Sequence, residues 1–148
     1  MAKFGVVLVS HSEYIAKGLK ELVDEMNDGS VQVVAAGGAD GGRIGTSAIK
    51  IQGAIESVED CDHILIYADL GSSILSAETA IDLIDEDLAE KVQLVDAPIV
   101  EGALAGVVQS GIFSEETTSS VTRTVSTLIS SSSSAFSAPI SKFITSPA

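Results

Sequence analysis

Four short apolar runs rich in β-branched residues, Phe4–Val9, Val31–Ala35, His63–Ala68 and Val92–Val95, are separated by stretches in which apolar residues recur every three or four positions. Continuous apolar runs of this length suit strands covered on both faces, and their alternation with helical periods spells successive βαβ units. That pattern leaves few options: an α/β fold with a mostly parallel, doubly wound sheet of four or more strands and helices on both faces. The expected helix stripes are Ile15, Leu19, Leu22 and Met26, then Ala48, Ile51, Ile55 and Val58, then Ala77, Ile81, Ile84 and Leu88. A fourth helix is expected after Pro98, running through Val100, Leu104 and Val107 to Gly111.

At 148 residues the chain suffices for one domain with a proper core but not for two. Beyond Ser114 the composition changes, although Val121, Val125, Leu128 and Ile129 keep helical spacing and predict a fifth helix to about Leu128. The segment 130–148 is Ser-rich with two prolines and little apolar content, which reads as a tail or linker, so the expected domain is 1–129. Eight Lys and Arg against 21 Asp and Glu give a formal net charge of −13, which repels nucleic acid and anionic lipid. The longest apolar stretches, such as Ile64 to Ala68, fall far short of a membrane span, and the first apolar run is too short for a signal peptide. A single cysteine, Cys61, cannot form an internal disulfide, and no Cys/His cluster has metal-ligand spacing. A reduced cytoplasm, without a metal site, is the expected setting.

Ligands of an open parallel sheet bind beyond the carboxyl ends of its strands, where the connections diverge. Three turns share that edge: Ser10-His11-Ser12-Glu13, the glycine-rich stretch from Gly37 to Ser47, and Asp69-Leu70-Gly71-Ser72-Ser73. A histidine at a strand-to-helix turn is suited to carry a phosphoryl group, because imidazole is nucleophilic near neutral pH and helix N–H groups stabilise anions. Equally, Ser10-x-x-Glu13 matches a capping box, in which His11 would merely occupy a first helical turn. The glycine-rich turn lacks the Gly-Lys-Ser/Thr of a nucleotide-binding P-loop; its glycines fit a tight surface loop as well as an anion cradle, and Thr46 fits a helix cap. Asp69, ending an apolar strand, needs a partner to offset its desolvation. If its strand lies beside the first, it meets His11 and fixes the imidazole tautomer; otherwise it caps the next helix. His63 begins the strand that Asp69 ends, about 20 Å away, and cannot share the site. Cys61 reads as a small buried residue, while Glu101 either faces the cleft or favours its helix dipole.

Taken in order, Val9-Ser10-His11-Ser12, Gly37-Gly38 with Gly45-Thr46-Ser47, Asp69-Leu70-Gly71-Ser72 and Ala97-Pro98-Ile99-Val100-Glu101-Gly102-Ala103 form a pattern that resembles a known family. It is similar to the phosphotransferase subunit of phosphoenolpyruvate-dependent dihydroxyacetone kinase, whose core is similar to mannose-type enzyme IIA domains. The resemblance spans Lys3 to Gly111 and implies a phosphorelay: the phosphocarrier HPr phosphorylates His11, which passes the group to ADP on a nucleotide-binding kinase subunit. The ATP so formed serves a dihydroxyacetone-binding subunit. It further implies that Asp69 orients the ring, that Gly38, Gly45, Thr46, Gly71 and Ser72 cradle the phosphoryl group, and that the chain forms a homodimer. No permanent cofactor is implied, with any Mg²⁺ arriving with the nucleotide on the partner. The Ser/Thr-rich stretch after Ser114 departs from the charged last helix usual in that family. The alternative acceptor is a sugar permease, served by a mannose-family enzyme IIA.

Overall fold

The computed structural model of the protein describes residues 3–112; the expected fifth helix, the Ser-rich tail and the boundary between them lie outside the described residues. The elements are β1 (Phe4–Ser10), α1 (Glu13–Met26), β2 (Val31–Gly37), a 3₁₀ turn (Asp40–Gly42), α2 (Ala48–Ser57), β3 (His63–Ala68), α3 (Gly71–Leu83), α4 (Glu86–Ala89), β4 (Val92–Leu94) and α5 (Ile99–Ile112). The four strands form one sheet in the order β2-β1-β3-β4, with every pair parallel. Every residue of β1 is buried, which is why this strand reads as an unbroken apolar run rather than an alternating one. Successive β1 side chains feed opposite faces of the sheet. Val7 and Val9 pack with Ile51, Ile55, Ala77 and Ala80 of α2 and α3. Phe4, Val6 and Leu8 pack with Leu19, Val23, Ala103 and Val107 of α1 and α5. The chain therefore winds outward from β1 in both directions, and β1 and β3 flank the point where the strand order reverses.

Two helices depart from the expected pattern. On α1 the buried stripe is Ala16, Leu19 and Val23, whereas Ile15, Leu22 and Met26 are 53%, 48% and 62% exposed. Both stripes have helical spacing and share Leu19, so periodicity alone cannot choose between them. Backbone proximity decides it: a Cβ on Gly37 would lie 2.6 Å from the Cβ of Ala16 and 2.6 Å from the Ser12 carbonyl oxygen, so α1 meets the end of β2 where a small alanine faces a glycine. Likewise, the stripe Ala77, Ile81, Ile84 and Leu88 does not lie on one continuous helix. α3 stops at Leu83, Ile84 is extended, and α4 restarts at Glu86 with Asp85 as its N-cap residue. Carboxylates at a helix C-terminus oppose the macrodipole, and the break places Glu86 and Asp87 in a first turn, where they favour it. Ile84 and Leu88 still reach the same core cluster.

α5 approaches β3 through glycine. The Tyr67 ring is fully buried beneath α5, and a Cβ on Gly102 or Gly106 would come within 3.2 Å of its Cδ1 or 2.7 Å of its Cζ, respectively. Burial pushes the Tyr67 phenol pKa well up, and its hydroxyl has no hydrogen-bond partner among the described residues. Cys61 is buried and unpaired. No described helix is long and apolar enough to cross a membrane.

Candidate functional site

Parallel pairing of β1 with β3 sets the site. The register matches Phe4 with His63 at one end and Val9 with Ala68 at the other, so the chain leaves both strands at the same level, with Ser10 and His11 facing Asp69. His11 Nδ1 lies 3.0 Å from Asp69 Oδ1, and the backbone N–H of His11 donates to Oδ2 at 3.2 Å. The Ser10 hydroxyl donates to Oδ2 at 2.7 Å and the Ser73 hydroxyl to Oδ1 at 2.6 Å, while the Leu70 N–H also donates to Oδ1 at 2.8 Å. Burial pushes the Asp69 carboxyl pKa up, but the donors of Ser73, Ser10 and His11 together outweigh it and hold the group well below the usual carboxylate range. Asp69 is thus a carboxylate at any ordinary pH.

That charge decides the tautomer of His11. An unprotonated Nδ1 would set a lone pair against a carboxylate oxygen at 3.0 Å, so the proton resides on Nδ1 and the free lone pair on Nε2. Nε2 contacts the Ser72 hydroxyl at the start of α3. With 19% of its side chain exposed, His11 is anchored on one edge and reachable on the other. Gly71 and Ser72 are the first two residues of α3, whose N–H groups have no preceding helical turn to bond to, and they lie at the positive end of its dipole. The arrangement suits an anion held against Nε2.

The capping box does not form. Ser12, not Ser10, caps α1 by accepting from the Ile15 N–H, and Glu13 pairs with Lys17 instead of reaching back. Ser10 is buried and its hydroxyl faces Asp69. Thr46 is not the cap of α2 either, since Ser47 caps it; the Thr46 hydroxyl lies 2.6 Å from that of Ser76 and ties the glycine-rich turn to α3. Gly38 and Gly45 differ from the expected cradle. Their N–H groups donate to the carbonyls of Ser10 and His11 at 3.0 and 2.8 Å, so they brace the histidine's turn and are not free to meet an anion. Both sit at positive φ, +76° and +141°, where a side chain would be strained. Glu101 is exposed in the first turn of α5, where it favours the helix dipole. Ser10 and Ser73 were not expected as site residues, because serine beside a helix start reads as a cap. The signal that could have found Ser10 is its place at the end of a wholly buried strand, opposite Asp69. Among the described residues, no cluster of His, Cys, Asp or Glu could hold a metal ion.

A ring fixed by a carboxylate at the switch point of a parallel sheet, with its second nitrogen aimed at a helix N-terminus, is an arrangement suited to holding a phosphoryl group, and the α/β fold around it is of the phosphotransferase enzyme IIA class. Residues 5–119 match the EIIA-man family, described as the PTS system fructose IIA component, and the chain belongs to that family. Its relatives include the phosphoryl donor subunit DhaM of PEP-dependent dihydroxyacetone kinase 2 of Listeria innocua, 48% identical over 105 residues, which are 71% of this chain and 84% of that one. DhaM of Providencia stuartii is 52% identical over 104 residues, and DhaM of Klebsiella michiganensis 51% over 108, covering 68% and 71% of this chain. Of those two longer relatives the matched region spans only 22% and 23%. A crystal structure of a protein of unknown function, EF1359, superimposes with a TM-score of 0.74 at 36% identity, covering 83% of this chain and 92% of that one.

Proposed function

We propose that this chain is the phosphoryl donor subunit of a dihydroxyacetone kinase, receiving a phosphoryl group on His11 Nε2 and delivering it to ADP on a kinase subunit. The observation that carries the reading is the Asp69 contact on Nδ1, which leaves Nε2 as the nucleophile beside the start of α3. Similarity to phosphoryl donor subunits named DhaM supports the acceptor over a sugar permease.

In the first step the Nε2 lone pair attacks the phosphorus of phosphohistidine on HPr. The new N–P bond forms as the old one breaks, and the donor's nitrogen keeps the electron pair. The Ser72 hydroxyl turns from Nε2 to a phosphoryl oxygen, joined by the Gly71 and Ser72 N–H groups, while Thr46 braces Ser72 and α3 from the second turn. Throughout, Asp69 offsets the positive charge that develops on the ring. In the second step an oxygen of the ADP terminal phosphate attacks, the N–P bond breaks, and its electrons return to Nε2. Both transfers need positioning and charge stabilisation more than covalent chemistry from the protein. Any Mg²⁺ arrives with the nucleotide. Resemblance to the family further leads us to propose that the chain works in the cytoplasm as a homodimer; sedimentation of the purified protein tests the dimer.

The test is incubation with phosphoenolpyruvate, enzyme I and HPr, followed by intact mass and acid lability, then addition of nucleotide-loaded kinase subunits or of a permease IIB domain. One acid-labile phosphate that His11→Ala cannot accept, discharged to the kinase subunits and not to the permease domain, is the expected result. An unlabelled wild-type chain beside an active control carrier overturns the relay.

A further inference from the structure

Asp69 has more donors than a histidine-orienting carboxylate needs. Beyond the ring and two backbone N–H groups it accepts from two hydroxyls, one on each oxygen, and both serines are fully buried. Ser73 also lies 2.9 Å from His11 Nδ1, so Nδ1, Asp69 Oδ1 and Ser73 Oγ form a triangle with every side 3.0 Å or less. With one proton on Nδ1 and one on Ser73, both directed at the same carboxylate oxygen, the serine competes with the ring for the lone pairs of Oδ1. Ser10 withdraws charge from the other oxygen.

Resting on the carrier reading above, we propose that Ser73 and Ser10 are positioning residues that attenuate Asp69, so that His11 Nε2 stays a good leaving group and phosphohistidine remains a ready donor. A carboxylate bonded to an imidazole N–H raises the basicity of the opposite nitrogen. A more basic Nε2 attacks phosphorus more readily but holds it more tightly, and a carrier must do both tasks in turn. Two hydroxyl donors share the carboxylate's charge, weaken its pull on the Nδ1 proton and lower the electron density that reaches Nε2. Among the described residues Asp69 is the charged group in contact with the ring, since Glu13 on α1 pairs with Lys17, so no second carboxylate there offsets the change.

The experiment uses the full chain as wild type, Ser73→Ala, Ser73→Cys and Ser10→Ala, with two readouts. Proton and ¹⁵N NMR of the unphosphorylated protein reads the Nδ1–H bond without any phosphate, and the transfer equilibrium is then measured against phosphorylated HPr. Ser73→Ala is expected to move the Nδ1 proton downfield. It is also expected to shift the equilibrium toward the phosphorylated chain by about threefold, the order expected when a hydrogen bond to a charged acceptor is removed one step from the reacting nitrogen. Ser10→Ala, acting on the other oxygen, moves both readouts in the same direction, and the weaker S–H donor of Ser73→Cys gives intermediate values. A serine that served only packing would loosen the fold without strengthening the Nδ1–H bond. Wild-type values of both readouts in folded Ser73→Ala and Ser10→Ala, or movement in the opposite direction, overturn the proposal. A wild-type chain that accepts no phosphate overturns the carrier reading instead, and the NMR readout still decides the hydrogen-bond competition.

Discussion

The two histidines occupy opposite ends of the same strand pair. His63 opens β3, and its ring centroid lies 5.0 Å from that of Phe4, its register partner on β1. His11 follows the other end of β1 and meets a carboxylate and the hydroxyls of Ser72 and Ser73 at the start of α3. Residue type, sheet and strand pair are shared, so the environments separate them. At the carboxyl ends of parallel strands the crossovers begin, and helix N-termini with their unbonded N–H groups gather there. At the amino ends, the chain arrives through Cys61, which is buried, and Asp62, which accepts from the Lys3 N–H at 2.7 Å. One edge gathers groups that stabilise an anion, and the other closes the core.

The sharpest way to break this contrast is to exchange the fates of the two rings. His11→Ala is expected to abolish phosphoryl acceptance while His63→Ala retains it, as read by acid-labile mass; label on His11→Ala would end the distinction. Next in size, Asp69→Asn keeps the shape but removes the charge that fixes the tautomer, and a loss of about 100-fold or more in the rate of phosphoryl uptake is expected from quench-flow measurement. Acid stability follows in size. Asp69 has a folded pKa below its unfolded value of about 3.9, so its contribution is fully present above that value and is lost as pH falls below it toward the folded pKa. Thermal melts between neutral pH and pH 2 should therefore decline less steeply for Asp69→Asn than for wild type. The smallest effect concerns Cys61 at the opposite edge. Burial, with Asp60 adding to it, pushes the thiol pKa up to about 11, leaving about one part in a thousand as thiolate at pH 8. Iodoacetamide should label Cys61 only after denaturation, and prompt native-state labelling would show that edge to be open.

Much of this was legible in the sequence because strands buried on both faces are written as plain apolar runs. β3 keeps its expected limits at His63–Ala68, β1 and β2 run one and two residues longer, and the Val95 N–H still donates to the Ile66 carbonyl after β4 ends. The rotation of α1 was not legible, since two stripes of equal period share Leu19 and the choice rests on a backbone approach at Gly37 that has no local signature. The break before α4 could have been suspected from Asp85-Glu86-Asp87, three carboxylates at the end of a helical period. Within the site, the juxtaposition of His11 and Asp69 followed from strand order. The destinations of the Gly38 and Gly45 N–H groups did not, because a glycine cluster announces positive φ without saying what its amides bond to.

The contacts that make His11 distinctive all reach across the chain: Asp69 is 58 residues away, Ser72 is 61 and Ser73 is 62. Such long sequence separations form late and slowly, after the intervening strands have paired. A nascent or partly unfolded chain therefore carries an ordinary imidazole, with neither fixed tautomer nor helix terminus beside it. Under the proposed carrier role, competence for phosphorylation certifies completed folding, and an immature copy draws no phosphoryl groups from its donor.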